Sequence, residues 1–105
     1  MLIDPKLAPF LNKMPTKGII RIYNLQNDET LLLKSNNIIK DIQDIRFKLD
    51  LGMYSNKNLQ KSYSEIGLEL FALDPMKILK SDTKSLDDLY KECFNELNSK
   101  NVTFF

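Results

Sequence analysis

The sequence predicts an α+β domain, a small three-stranded antiparallel sheet flanked by three helices. Three observations carry this. Two short apolar runs, Ile19 to Tyr23 and Thr30 to Lys34, flank the polar stretch "NLQND", as expected of a β-hairpin. From Asn37 the apolar spacing changes from two to three or four residues, which marks the passage from strand to helix. A third strand-like run, "LELFALD", lies between two further amphipathic segments. A chain of 105 residues, 43% of them hydrophobic, can bury one modest core and is too short for two. The expected organisation is an N-terminal arm, residues 1–17, followed by a single domain, residues 18–105.

The arm holds Leu2, Ile3, Leu7, Phe10 and Leu11, apolar enough to dock, but Pro5, Pro9 and Pro15 forbid a long helix there. In the hairpin, the Asn and Asp residues of the turn supply local hydrogen bonds to the backbone. The first helix places Ile38, Ile42, Ile45 and Leu49 on one face, with Lys40, Asp41, Asp44 and Lys48 between them. Asn37 is its expected N-cap, and Gly52 lies just past its end. Leu59, Tyr63 and Ile66 suggest a shorter helix, starting near Asn56 and closed by Gly67 at a left-handed terminus. "LELFALD" is expected to end at Pro75, because proline in a central strand would lose a ladder hydrogen bond. Ser85 and Asp88 make an S-x-x-D capping box for a last helix carrying Leu86, Leu89, Tyr90, Cys93, Phe94 and Leu97 at helical spacing. The tail "NVTFF" ends on two aromatics, exposed or docked.

Composition excludes several chemistries. There is no histidine, so serine–histidine and cysteine–histidine catalysis and ordinary zinc sites lack their central group. One cysteine, Cys93, cannot form an internal disulfide and points to a reducing, cytoplasmic setting; on the apolar face of its helix it reads as a small core residue. A net charge of +1, with only Arg21 and Arg46 as arginines, gives no strong field towards nucleic acid and few bidentate phosphate ligands. The start of the chain lacks the basic, unbroken apolar pattern of a signal peptide, and no run approaches the roughly 20 apolar residues of a membrane span.

The order hairpin, helix, helix, strand, helix is where a family resemblance enters. Residues 18–71 resemble the GIY-YIG nuclease domain, the small cutter of homing endonucleases and of the excision-repair nuclease. Where that family has G-I-Y, this chain has Gly18-Ile19-Ile20; where it has Y-I-G, Leu31-Leu32-Leu33. Its helix opening N-I/L-x-x-R matches Asn37-Ile38-Ile39-Lys40-Asp41, and the histidine one turn on, found in many members, falls at Ile45. Gly18, Asn24 and Asn37 keep the pattern. Further along, "GMYSNKNLQKSYSEIGLELF" is similar to a second family stretch, with Gly52, Asn56, Lys57, Leu59, Gln60, Gly67 and Phe71 in place.

In active members of the family, the first tyrosine acts on the attacking water. The second tyrosine and the arginine position and neutralise the scissile phosphate, and a glutamate on the last helix holds one divalent ion. The resemblance therefore implies a degenerate site at Ile20, Leu31, Leu33, Asp41 and Ile45. Ile20 and Leu31 have no phenol oxygen, Leu33 fills space that glycine leaves open, and Asp41 puts an anion where a cation belongs. That last exchange, at about 4 Å from a phosphate, disfavours the pair by roughly 2 kcal/mol even in bulk water. The apolar members read more simply as packing residues. Tyr23 lies at odd spacing from Ile20 and should face the other side of the sheet.

Glu92 falls near the family's metal-binding glutamate, yet on the polar side of a helix it reads more simply as a solvated carboxylate. No cofactor is expected, with Mg²⁺ implied only for a residual nuclease. Asn56, Lys57, Asn58, Gln60 and Lys61 could contact a sugar–phosphate backbone, or could be the cap and polar face of a short helix. Two functions follow from this pattern. The favoured one is a catalytically inactive domain serving protein interaction, regulation or structure; the other is a weak nucleic-acid binder that kept the groove and lost the cutting, with residual nuclease activity a distant third. For a protein partner, Leu7, Phe10, Phe104 and Phe105, close to the chain ends, are the expected exposed contacts. The sequence does not fix an oligomeric state.

Overall fold

A computed structural model describes residues 16–80 and 84–105. The described residues form β1 (Gly18–Asn24), β2 (Thr30–Ser35), α1 (Ile38–Asp50), α2 (Lys57–Ile66), β3 (Phe71–Ile78) and α3 (Leu86–Ser99), with a 3₁₀ turn at Leu68–Leu70 before β3. The sheet order is β2-β1-β3, antiparallel throughout. Because side chains alternate along a strand, β1 divides its residues between two layers. Ile20 and Ile22 pack with Ile38, Ile42, Ile45 and Leu49 of α1 and Leu59 and Tyr63 of α2. Ile19, with Leu32, packs against Leu89, Cys93 and Leu97 of α3. Helices therefore cover both faces of the sheet, and no described helix is long and apolar enough to cross a membrane.

The caps follow the sequence. The Asn37 side chain accepts from the Lys40 N–H, and that of Asn56 from the Leu59 N–H. At α3 both halves of the Ser85–Asp88 box form, at 3.1 and 3.2 Å. Gly52 takes φ +73° after α1, as a left-handed terminus requires.

Four expectations are corrected. Residues 68–70 are a 3₁₀ turn rather than strand, and β3 runs on through Pro75 to Ile78. Proline is tolerated because β3 is an edge strand and its register with β1 shifts between Ile19 and Ile20, opposite Lys77 and Pro75. Gly67 has φ +97° but ψ 162°, a glycine-only conformation rather than a left-handed helical one. Phe104 and Phe105 are docked instead of exposed: the Thr30 N–H donates to the Thr103 carbonyl and the Phe105 N–H to the Thr30 carbonyl. Phe104 stacks on Phe94 and Phe105 on Phe71, at centroid distances of 4.8 and 6.3 Å. The expectations for residues 1–15, Leu7 and Phe10 included, lie outside the described residues.

Candidate functional site

Between the hairpin and α1 lies an open groove of about 290 Å³, lined by Ile20, Leu33, Lys34, Asp41, Asp44, Ile45, Lys48, Tyr54 and Ser55. Four of the five positions singled out in the sequence thus meet in one place: Ile20, Leu33, Asp41 and Ile45. Leu31 instead packs, half-buried, against the core on the same face of the sheet. The apolar members are supported from below, since Ile20 is fully buried and Ile45 nearly so.

Asp41 is held at the start of α1 by Ser35, whose hydroxyl donates to its carboxylate at 2.5 Å and accepts from the Asn37 N–H at 3.1 Å. A carboxylate in the first helical turn also complements the positive end of the helix dipole. One turn further on, Asp44 contacts Lys40 at 3.5 Å, an exposed and weak pair. Lys34 turns to α3, where it meets Asp87 at 2.7 Å and lies 5.9 Å from the Tyr90 ring centroid. The bond to Asp87 and its charge push the Lys34 ammonium up and hold the Asp87 carboxyl below its usual range.

Tyr54 and Ser55 come from the loop after α1, and sequence periodicity gave no sign of them. Gln60 fixes that loop. Its carbonyl oxygen accepts from the Tyr54 N–H at 2.9 Å, while its amide donates to the Leu49 carbonyl and the Ser64 hydroxyl, each at 3.0 Å. Burial pushes the Tyr54 phenol up. Asp44 could have been found from the sequence, being three residues from Asp41 on the same helix.

The remaining sequence candidates are scattered. Lys57, Asn58 and Lys61 are exposed on α2, whereas Asn56 caps that helix and Gln60 is a buried strut. Tyr23 faces the α3 side, where its hydroxyl donates to Asp74 at 3.2 Å and the Arg21 guanidinium lies 4.0 Å from its ring centroid. Glu92 is not in the groove. It contacts Lys84 at 2.5 Å and Lys77 at 3.6 Å, and these cations, Lys84 foremost, hold its carboxyl below the usual range. No group of three or more metal-binding side chains occurs among the described residues. Glu92, the carboxylate that the resemblance offers to a divalent ion, is turned to Lys84 and Lys77 and does not line the groove.

No family model and no curated protein sequence matches the chain. Among solved structures, it is similar to the catalytic domain of the homing endonuclease I-TevI: TM-score 0.69, 22% identity, 85% of this chain and 97% of that one covered. A point mutant of the same intron-endonuclease domain aligns with TM-score 0.64 and 22% identity, over 86% of this chain and 92% of that one. I-TevI is a GIY-YIG homing endonuclease. The α+β fold described above is that of the GIY-YIG endonuclease domain.

Proposed function

We propose that this chain is a GIY-YIG-fold domain that no longer cuts nucleic acid and serves in the cytoplasm as a protein-interaction or regulatory module. The observation that carries the reading is the chemistry of the groove. Positions 20, 33, 41 and 45 place two isoleucines, a leucine and a carboxylate around it. Aliphatic side chains neither donate to a phosphate nor accept from water, and Asp41 repels an approaching phosphodiester. Phosphoryl-transfer catalysis rests on groups that stabilise developing charge, and these four positions offer none; of the cations elsewhere in the lining, Lys34 is paired with Asp87 and Lys48 is exposed. A second reading, weak nucleic-acid binding without cleavage, draws on the exposed Lys57, Asn58 and Lys61 of α2.

The test is a nicking assay on supercoiled plasmid with Mg²⁺ or Mn²⁺, in which the chain is expected to stay at background. It is paired with fluorescence anisotropy on duplex DNA at physiological salt. There, binding weaker than the roughly 10⁻⁴–10⁻⁶ M of non-specific binders is expected. Submicromolar duplex affinity supports the second reading, and reproducible metal-dependent nicking defeats both.

A further inference from the structure

We infer that the outer face of α1 is a self-association surface, on which a second copy of this chain packs its own α1 antiparallel. The inference goes beyond the reading of the domain as non-cutting and does not depend on it. It starts from three large apolar side chains that stand in water: Phe47, Leu51 and Met53, 60%, 55% and 69% exposed. Phe47 and Leu51 are four residues apart and so neighbours on the surface of the helix end. Met53 joins them through the helix terminus. Its N–H donates to the Lys48 carbonyl at 2.9 Å and that of Gly52 to the Leu49 carbonyl at 3.1 Å, a closure that folds the residue after the glycine back over the last turn. Single exposed apolar residues are ordinary, whereas a cluster of three on one face marks a contact surface.

The charges beside the cluster say what covers it. Asp44 and Lys48 are both exposed, one turn apart on the flank of α1 that borders the groove. Lys48 has no ion-pair partner among the described residues, and Asp44 has there only the exposed contact to Lys40 at 3.5 Å. A flank of one sign would call for a partner of the opposite sign. This one carries both signs, and in an antiparallel pairing about a two-fold axis at Phe47 the same flank of each helix meets its copy. Asp44 of one chain then lies beside Lys48 of the other, and the pair forms twice. The two Phe47 rings meet at the axis, while Leu51 and Met53 of each copy reach along the other helix towards Gln43 and the methylenes of Lys40. A net charge of +1 per chain adds little repulsion. Three apolar anchors and two ion pairs make a small interface, so the dimer belongs to the weak, concentration-dependent class.

The experiment is sedimentation velocity of the full chain across a concentration series, with circular dichroism on each variant. The 12.2 kDa chain is expected to shift towards twice that mass as concentration rises, and Phe47→Glu to remain monomeric with its folded spectrum kept. Asp44→Lys or Lys48→Glu alone replaces two attractive pairs with two repulsive ones and should weaken the dimer by about tenfold. Mixed in equal amounts, these two variants should associate again, because each then offers the other the opposite charge. A mass that stays monomeric at every concentration overturns the inference, as does a dimer that Phe47→Glu leaves intact or a mixture that fails to associate. Vesicles of phosphatidylcholine and phosphatidylserine test the other apolar occupant. A monomeric chain that they pellet, and that Phe47→Glu releases, would give this face to a membrane instead and overturn the inference too. Cutting is read separately by the plasmid assay, so failure here leaves the non-cutting reading standing.

Discussion

Gly18 opens β1 with a neighbour on each side, Ser35 on β2 and Ile78 on β3. A Cβ there would stand 2.2 Å from the Lys77 carbonyl oxygen and 2.9 Å from a terminal carbon of Ile38. The first obstacle is backbone, which cannot rotate away, so Gly18→Ala should destabilise the fold by about 1–3 kcal/mol. A urea midpoint unchanged by the substitution would show instead that β3 yields freely. Tyr63 poses a different residue-scale question. Its ring is 5% exposed and its hydroxyl donates to Asp50 at 2.5 Å; burial first, and that bond second, push its phenol well above the ordinary tyrosine range. A raised folded-state value means stability fully present below the unfolded value of about 10 and lost as pH rises beyond it. Burial gives Tyr54 the same sign. Denaturation midpoints followed from pH 8 to about 11 should therefore fall, and Tyr63→Phe should flatten the fall; an unchanged slope would remove Tyr63 from the effect.

At the scale of elements, what could be read from the sequence was whatever local chemistry decides. Asn37, Asn56, Ser85 and Asp88 satisfy helix N–H groups within their own turn, and Ile38, Ile42, Ile45 and Leu49 share a face by spacing alone, so helix starts and core faces were legible. β3 was misread where non-local facts rule. Pro75 ends a central strand but not an edge strand with a shifted register, and edge position is a property of the sheet order rather than of "LELFALD". The groove was half legible, and only through the family resemblance: Ile20, Leu33, Asp41 and Ile45 stand at positions of its pattern, whereas Tyr54 and Ser55 arrive on a loop whose path depends on Gln60. The docking of the tail was not legible, since its pairing with Thr30 joins residues far apart in the chain. Removing residues 103–105 should leave the N–H and C=O of Thr30, now fully buried, without their partners and undo two aromatic stacks. Each such stack is worth about 0.5–1.5 kcal/mol, so a clear drop in the urea midpoint is expected; its absence would mean that the tail only rests on the sheet.

For the whole molecule, the fold and the groove chemistry overlap at Ile20 and Ile45, which belong to the core, and are separate at Leu33 and Asp41. Leu31 and Leu33 are half-buried on one sheet face, Ile20 reaches the groove from the core, and Asp41 touches Ser35 at the helix start. Restoring the family pattern with Ile20→Tyr, Leu31→Tyr, Leu33→Gly and Asp41→Arg together changes one core residue, Ile20, and three half-buried positions, and retains Ile22, Ile38, Ile42, Leu49, Leu59 and the α3 layer. A folded protein is expected, weakened by about 1–4 kcal/mol through lost methylenes at 33 and added ring volume at 20. Asp41→Arg alone changes the groove's charge by two units, so duplex affinity at low salt should rise and fall again with added salt. Nicking should nonetheless stay at background, because Glu92 remains paired with Lys84 and Lys77 away from the groove. Circular dichroism, anisotropy and the plasmid assay on the same preparation separate the three claims. Loss of the folded spectrum would show that the groove residues hold the core together, and recovered cutting would place a catalytic carboxylate where the lining residues offer only Asp44.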